Sequence, residues 1–129
     1  MLIHLFAVAY GFAFILIGIS HFRSPKTFVE IVPAILPFPL FLVYISGAIE
    51  IAGGLAAIYP DTRVFGGRLL ALLLICVYPA NLYMWTHNVA LNGTHFTTQQ
   101  HILRLLAQIL LIAFALVLSG DLVLGEIFT

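Results

Sequence analysis

Charged residues are scarce in this chain. Asp, Glu, Lys and Arg make up 8% of its 129 residues, whereas a soluble domain carries about 25%. With five Lys and Arg and a net charge of +0, the chain has no basic surface for nucleic acid. Apolar residues reach 63%, more than a soluble fold of this size can bury. The composition therefore excludes a cytosolic enzyme and predicts a lipid bilayer as the main partner.

Cysteine is nearly absent as well. The single residue, Cys76, excludes a disulfide framework, a Cys-x-x-Cys redox pair and a cysteine zinc site. The five histidines include no pair spaced four apart on one predicted helix, and no metal site is predicted.

Long apolar runs dominate what is present. A helix needs about 20 apolar residues to cross the hydrocarbon core, and four segments qualify, at about 2–21, 38–59, 64–85 and 98–119. The first lacks the basic start and the cleavage site of a signal peptide. The sequence therefore predicts an all-α fold: a single domain over 1–129 that forms an integral membrane four-helix bundle.

The connections between these segments are short, which predicts antiparallel neighbours. Residues 59–63 form a tight turn between the second and third helices. We call the end of the protein at this turn side A, and the end that carries the connections 21–37 and 86–100 side B. Lys and Arg are evenly divided between the two sides, so the sequence does not set the membrane orientation.

The first side-B connection has the features of a short helix. Ser24 is a good N-cap and Pro25 suits the first helical position, and apolar residues follow at helical spacing. We predict a short interfacial helix between the first two membrane helices, ended by Pro33 or Pro37.

Signals for the last helix are equally local. Thr97 and Gln100 form a capping-box pattern at its start, and Gly120 suits its end. Asn92 and Gly93 predict a turn in the connection before it.

Several polar residues occur in the side-B half of the predicted helices. Gly47 and Gly54 lie on the face of Glu50, a face suited to close helix packing, about 18 Å from the side-B end of the helix. Arg104 and Gln108 share a face of the last helix, about 9 and 15 Å from its start. The side-B half is thus predicted to gather five polar residues: His21, Glu50, Asn81, Arg104 and Gln108.

These residues would be costly to bury without partners. An ion pair between Arg104 and Glu50, with hydrogen bonds from Gln108 and Asn81, is the least costly arrangement we expect. Two interpretations remain open. The cluster is either a pocket for a polar head group or a structural lock between helices.

The same residues belong to a longer pattern that resembles DoxX-like proteins, a family of small four-helix bacterial membrane proteins. The pattern comprises Gly18-Ile-Ser-His21-Phe22, Pro25, Phe28, Ile31-Val32-Pro33, Leu36-Pro37, Tyr44-Ile-Ser-Gly47-x-x-Glu50, Gly53-Gly54, Tyr78-Pro79-Ala80-Asn81, Arg104 and Gln108. The resemblance implies a multi-pass protein of the bacterial inner membrane. The family is named after a subunit linked to thiosulfate:quinone oxidoreduction, and His21, Glu50, Asn81 and Arg104 match its functional positions. Since this chain has no cysteine pair, thiol exchange would belong to a partner.

The pocket and the resemblance together predict a redox-linked accessory protein that binds a quinone or a similar amphipathic molecule. In this interpretation Arg104, Asn81, Gln108 and Tyr78 bind the ligand, while Glu50 and His21 exchange protons with it. Electrons would come from a soluble or membrane redox partner, which would make the chain a subunit of a quinone-linked oxidoreductase. The alternatives are a non-enzymatic carrier, for which a homo-oligomer could supply a missing half, and a structural subunit.

Overall fold

Four long apolar helices make up most of the computed structural model, which describes residues 2–90 and 93–122. They are α1 (Leu2–Arg23), α3 (Pro39–Ile58), α4 (Arg63–Thr86) and α5 (Thr98–Ser119), with a short helix, α2 (Pro25–Val29), after α1. The described residues contain no β-strand. All four long helices are long and apolar enough to span a membrane. The predicted all-α class is confirmed.

The helices begin and end within two residues of the predicted positions, and the capping signals explain part of this agreement. The Thr97 hydroxyl accepts a hydrogen bond from the Gln100 amide at 3.2 Å, and the Gln100 side chain accepts one from the Thr97 amide at 2.9 Å. Gly120 ends α5 in the left-handed conformation, with φ of 82°. The predicted Asn92–Gly93 turn includes Asn92, which lies outside the described residues.

Helices α1 and α3 touch backbone to backbone through two pairs of glycines. A Cβ atom on Gly11 would lie 2.4 Å from the Gly54 carbonyl oxygen, and one on Gly18 would lie 2.6 Å from the Gly47 carbonyl oxygen. Any larger side chain would force the helices apart. Because Gly11 lies against Gly54 and Gly18 lies against Gly47, the two helices are antiparallel.

The other neighbouring helices meet through glycines in the side-A half. A Cβ atom on Gly66 would lie 2.4 Å from the Ala57 amide nitrogen, which joins α4 to α3. A Cβ atom on Gly67 would lie 2.6 Å from the Ala115 carbonyl oxygen, which joins α4 to α5. The long helices therefore pack in chain order, each antiparallel to the next.

The hydrophobic core also lies in the side-A half, where α1 reaches α5. The Tyr10 hydroxyl donates a hydrogen bond to the Leu111 carbonyl oxygen at 2.7 Å, and the Phe6 and Phe114 rings meet edge to face at 5.2 Å. The core cluster comprises Ala7, Tyr10, Phe14, Ala57, Leu70, Ala71, Leu74, Ala115 and Leu118. In the side-B half the same helices surround a cavity instead.

The short helix α2 differs from its predicted extent. It ends at Val29, before either Pro33 or Pro37, because the chain tightens into turns in which Ile31 and Val32 donate to carbonyls three residues back. A residue before proline disfavours helical geometry, which is consistent with this early end. The His21 and Phe28 rings, stacked at 3.8 Å, hold α2 against the end of α1.

Two arginines at side A have hydrogen-bond partners among the described residues. Arg68 donates two hydrogen bonds of 2.9 Å to the Asp121 carboxylate, and Arg63 donates to the Ala57 and Ile58 carbonyls at the end of α3. Hydrogen bonds from Arg68 and Ser119 lower the pKa of Asp121 to about 2.

We expect Gly11→Val to destabilise the protein by about 1–3 kcal/mol, because the added carbons would collide with the α3 backbone. Ala13→Val is the matched control, since Ala13 is an exposed residue of the same helix. The measurement is reversible unfolding in mixed micelles. Equal stabilities of the two variants would contradict the close α1–α3 contact.

We expect Asp121→Asn to lower Tm at pH 7 and to approach the wild type as the pH falls below about 2. The pKa of Asp121 is about 2 in the folded protein and about 3.9 in an unfolded chain. Its stabilisation is therefore fully present above about pH 4 and is lost as the pH falls through the folded value. Thermal melts across this range test the expectation, which fails if the difference persists at low pH.

Candidate functional site

A cavity of about 560 Å³ lies in the side-B half. All four long helices and residues 28–36 border it, and its volume is within the range of about 300–1,000 Å³ typical of ligand sites. We call it the side-B cavity. Its walls are mainly apolar, but five of the polar residues identified in the sequence line it: His21, Glu50, Asn81, Arg104 and Gln108.

Three of these side chains form a continuous hydrogen-bonded chain between α5 and α4. Arg104 Nη2 donates to Asn81 Oδ1 at 3.1 Å, and Asn81 Nδ2 donates to Gln108 Oε1. Gln108 Nε2 then donates to the Leu74 carbonyl oxygen at 2.8 Å. We call this set the donor chain, because each side chain donates to the next member.

Pro79 lies beside the donor chain inside α4. Proline has no amide hydrogen, so the carbonyl of Ile75, four residues earlier, loses its helical donor. Gln108 donates to the adjacent carbonyl, that of Leu74. The polar side chain of α5 thus supports the backbone of α4 where proline weakens its hydrogen bonding.

Arg104 retains one guanidinium nitrogen for another partner. Its Nη1 atom is buried and has no hydrogen-bond partner among the described residues. The guanidinium lies over the Phe96 ring at 5.1 Å, which helps to hold it in place. Asn81 and Phe96 therefore hold a side chain that lines the cavity and whose Nη1 donor has no partner in the described part of the protein.

The opposite wall carries Glu50 and His21. Glu50 is 8% exposed, and its Oε2 atom has no hydrogen-bond partner among the described residues. His21 Nδ1 lies 3.6 Å from that oxygen and 2.8 Å from the Ile17 carbonyl oxygen. Because a carbonyl only accepts, Nδ1 carries a hydrogen, and in the neutral ring Nε2 carries the lone pair. An acid and an imidazole thus stand side by side at the cavity.

The predicted Arg104–Glu50 ion pair is wrong. Among the described residues, Arg68 forms an ion pair with Asp121 and the basic side chain beside Glu50 is His21, at 3.6 Å. Arg104 hydrogen-bonds to Asn81 instead. The physical reason is that α3 packs on α1 and α4, and α5 packs on α4. Glu50 and Arg104 therefore border the same cavity without forming a pair.

Tyr78, which we predicted to bind the ligand, does not line the cavity in the described part of the chain. Val77 and Pro79, the residues on either side of Tyr78, do line it. Each residue of a helix is rotated by about 100° from the one before, which places Tyr78 with Ile75 on the far side of α4.

Two cavity residues had no predicted role. Cys76 lines the cavity and is exposed, although its apolar sequence neighbours predict packing. Ser46 also lines it, one turn before Glu50 on α3, but its hydroxyl donates to the Leu42 carbonyl. Helical spacing from Glu50 was the signal that could have identified Ser46.

His101 is a buried polar residue apart from the cavity lining. It is 2% exposed, and neither ring nitrogen has a hydrogen-bond partner among the described residues. Its ring packs against those of Trp85 and Phe96 at 5.9 and 5.7 Å. No group of three or more His, Cys, Asp or Glu within the described ranges could hold a metal ion.

The helices and the cavity together indicate the class of this protein. Four membrane-length helices indicate a multi-pass membrane protein, and the cavity sets a guanidinium and a carboxyl group on separate walls of an apolar space.

The chain belongs to the family described as Domain of unknown function (DUF8561), whose model matches residues 10–119. The matched range includes all five polar residues of the cavity. No curated protein and no solved structure matches the chain. The function must therefore be argued from the site.

The donor chain predicts energetic coupling between Asn81 and Gln108. We expect Asn81→Leu and Gln108→Met each to destabilise the protein, because each leaves a polar partner unsatisfied. The free energy of unfolding lost in the double variant should be smaller than the sum of the two single losses by about 0.5–2 kcal/mol. Unfolding in mixed micelles measures this coupling.

The control cycle combines Gln108→Met with Thr97→Ala, which removes the α5 cap about 16 Å away along the helix. The losses of unfolding free energy caused by these two substitutions should add within about 0.5 kcal/mol. Additivity in both cycles would contradict a continuous donor chain.

Proposed function

We propose that this protein is a four-helix bundle of the bacterial inner membrane that binds the head group of a quinone, or of a similar small amphipathic molecule, in the side-B cavity. One observation carries the proposal. Arg104 and Glu50 line the same apolar cavity, and each side chain holds one buried atom, Nη1 and Oε2, that has no hydrogen-bond partner among the described residues. Buried polar atoms normally have partners, so a ligand that meets both would complete the site.

A quinone has the required chemistry. It is a flat, largely apolar ring with two carbonyl oxygens, both of which accept hydrogen bonds. Arg104 Nη1 would donate to one oxygen, and the protonated carboxyl group of Glu50 would donate to the other. The apolar walls, which include Phe14, Val43 and Leu73, suit the ring faces.

The redox part of the proposal rests on the resemblance to DoxX-like proteins and on the pairing of Glu50 with His21. Reduction of a quinone to a hydroquinone takes up two electrons and two protons. Glu50 would give one proton to the oxygen that it contacts and would be reprotonated through His21, 3.6 Å away. The oxygen at Arg104 would take the second proton from water. The electrons would come from a soluble or membrane redox partner.

Two other functions use the same cavity differently. A non-enzymatic carrier would bind the same amphipathic molecule and move it without changing it, and liposome flux would reveal this. A structural subunit would use the polar residues to lock the helices together. The lock is less favoured, because its expected Arg104–Glu50 ion pair is replaced by two unsatisfied atoms.

We expect Arg104→Gln to weaken binding of a benzoquinone by about 10-fold or more, since a hydrogen bond to a charged group contributes about 1.5–3 kcal/mol. Arg68→Gln is the matched control, because it removes an exposed arginine at side A. Binding is measured on purified protein in mild detergent, together with mass spectrometry of molecules that co-purify. Equal affinities for the two variants would overturn the proposed site.

Glu50→Gln separates proton exchange from binding. It retains a hydrogen-bonding side chain of the same size, so we expect quinone affinity to change little and the quinone reduction rate with a partner reductase to fall. An unchanged rate would remove the proton role from Glu50 and favour a carrier.

A further inference from the structure

A second groove of about 450 Å³ adjoins the side-B cavity. The two share Pro33, Leu36 and Pro79, so those residues form a common boundary. From there the groove continues along the outside of α4 past Leu82 and Tyr83. We call it the outer groove.

The outer groove is apolar and faces outward. Besides the shared residues, its lining consists of Ile35, Leu82, Tyr83 and Thr86. Ile35 is 89% exposed and Leu82 is 39% exposed, so the walls of the groove would contact lipid in a bilayer. One side of the groove is helix α4 and the other is the connecting chain at residues 33–36.

The geometry of the boundary follows from its prolines. Leu36 donates its amide to the Pro33 carbonyl at 3.0 Å, which folds residues 33–36 into a tight turn over α4. Pro79 is an exposed residue on the facing helix and has a rigid ring in place of a flexible side chain. Two rigid elements therefore face each other where the cavity meets the groove.

We propose that the ligand carries one linear apolar tail, which leaves the side-B cavity between Pro33 and Pro79 and lies in the outer groove. This inference rests on the proposed function, because it takes the polar head to be held by Arg104 and Glu50. The head then occupies the cavity, and the tail passes the shared residues Pro33, Leu36 and Pro79 to reach the outer groove.

Photo-crosslinking tests the path of the tail directly. The probe is a benzoquinone with a linear alkyl tail that bears a diazirine near its middle, added to the full chain in lipid nanodiscs. We expect crosslinks to residues 33–36 and 79–86. Excess of the same quinone without the diazirine should remove them, whereas general lipid labelling would persist. Specific crosslinks confined to α1 or α5 would overturn the inference.

A groove-filling variant tests the tail by affinity. Leu82→Trp should weaken binding of the tailed quinone by about fivefold and leave a ring-only benzoquinone unchanged. Leu72→Trp is the matched control, because Leu72 is exposed on α4 and lines neither the cavity nor the groove in the described chain. If Leu82→Trp and Leu72→Trp bind the tailed quinone equally well, the inference fails.

The two proposals fail in different ways. If the wild type binds neither quinone, the proposed function is overturned. If it binds the ring-only quinone in an Arg104-dependent manner but shows no crosslinks in the outer groove, the tail inference alone is overturned. If Leu82→Trp does not fold, the crosslinking result decides.

Discussion

Backbone contact between glycines decides where these helices touch and therefore where the cavity lies. The α1–α3 contact runs from Gly11 to Gly18, whereas the glycine contacts that join α4 to its neighbours lie near side A, at Gly66 and Gly67. Helices held together at one end are free to diverge toward the other. The side-A half closes into a hydrophobic core, and the side-B half leaves room for a ligand.

The two sides of the cavity carry different polar groups, a guanidinium and a carboxyl group, and each group has one atom without a partner. On the α4–α5 side, Asn81 and Gln108 pass hydrogen bonds from Arg104 to the Leu74 carbonyl, and one arginine nitrogen remains. On the α1–α3 side, Glu50 lies beside His21, and one carboxyl oxygen remains. The internal partners hold each side chain in place, so the remaining atoms have fixed positions before a ligand arrives, which lowers the entropy lost on binding.

Much of this architecture could be predicted from local sequence signals. Helix length, the Thr97–Gln100 capping box and Gly120 depend on near neighbours in the chain, and helical rise places the polar residues at similar depth. The Arg104–Glu50 pair could not be predicted, because spacing gives the depth and face of a residue but not which helices are neighbours. Which helices are neighbours also decides which side of α4 faces the cavity, and so where Tyr78 and the outer groove lie.

A binding role for Arg104 and Glu50 is supported by the contrast with the two arginines at side A, which have partners. Arg63 donates to carbonyls at the end of α3, and Arg68 has a two-bond partner in Asp121. His101 also has buried nitrogens without partners, but it is packed against Trp85 and Phe96 and does not line the cavity. Arg104 and Glu50 differ because their unsatisfied atoms belong to side chains that border one shared space. A structural lock would gain stability by joining them, whereas a binding site needs them apart.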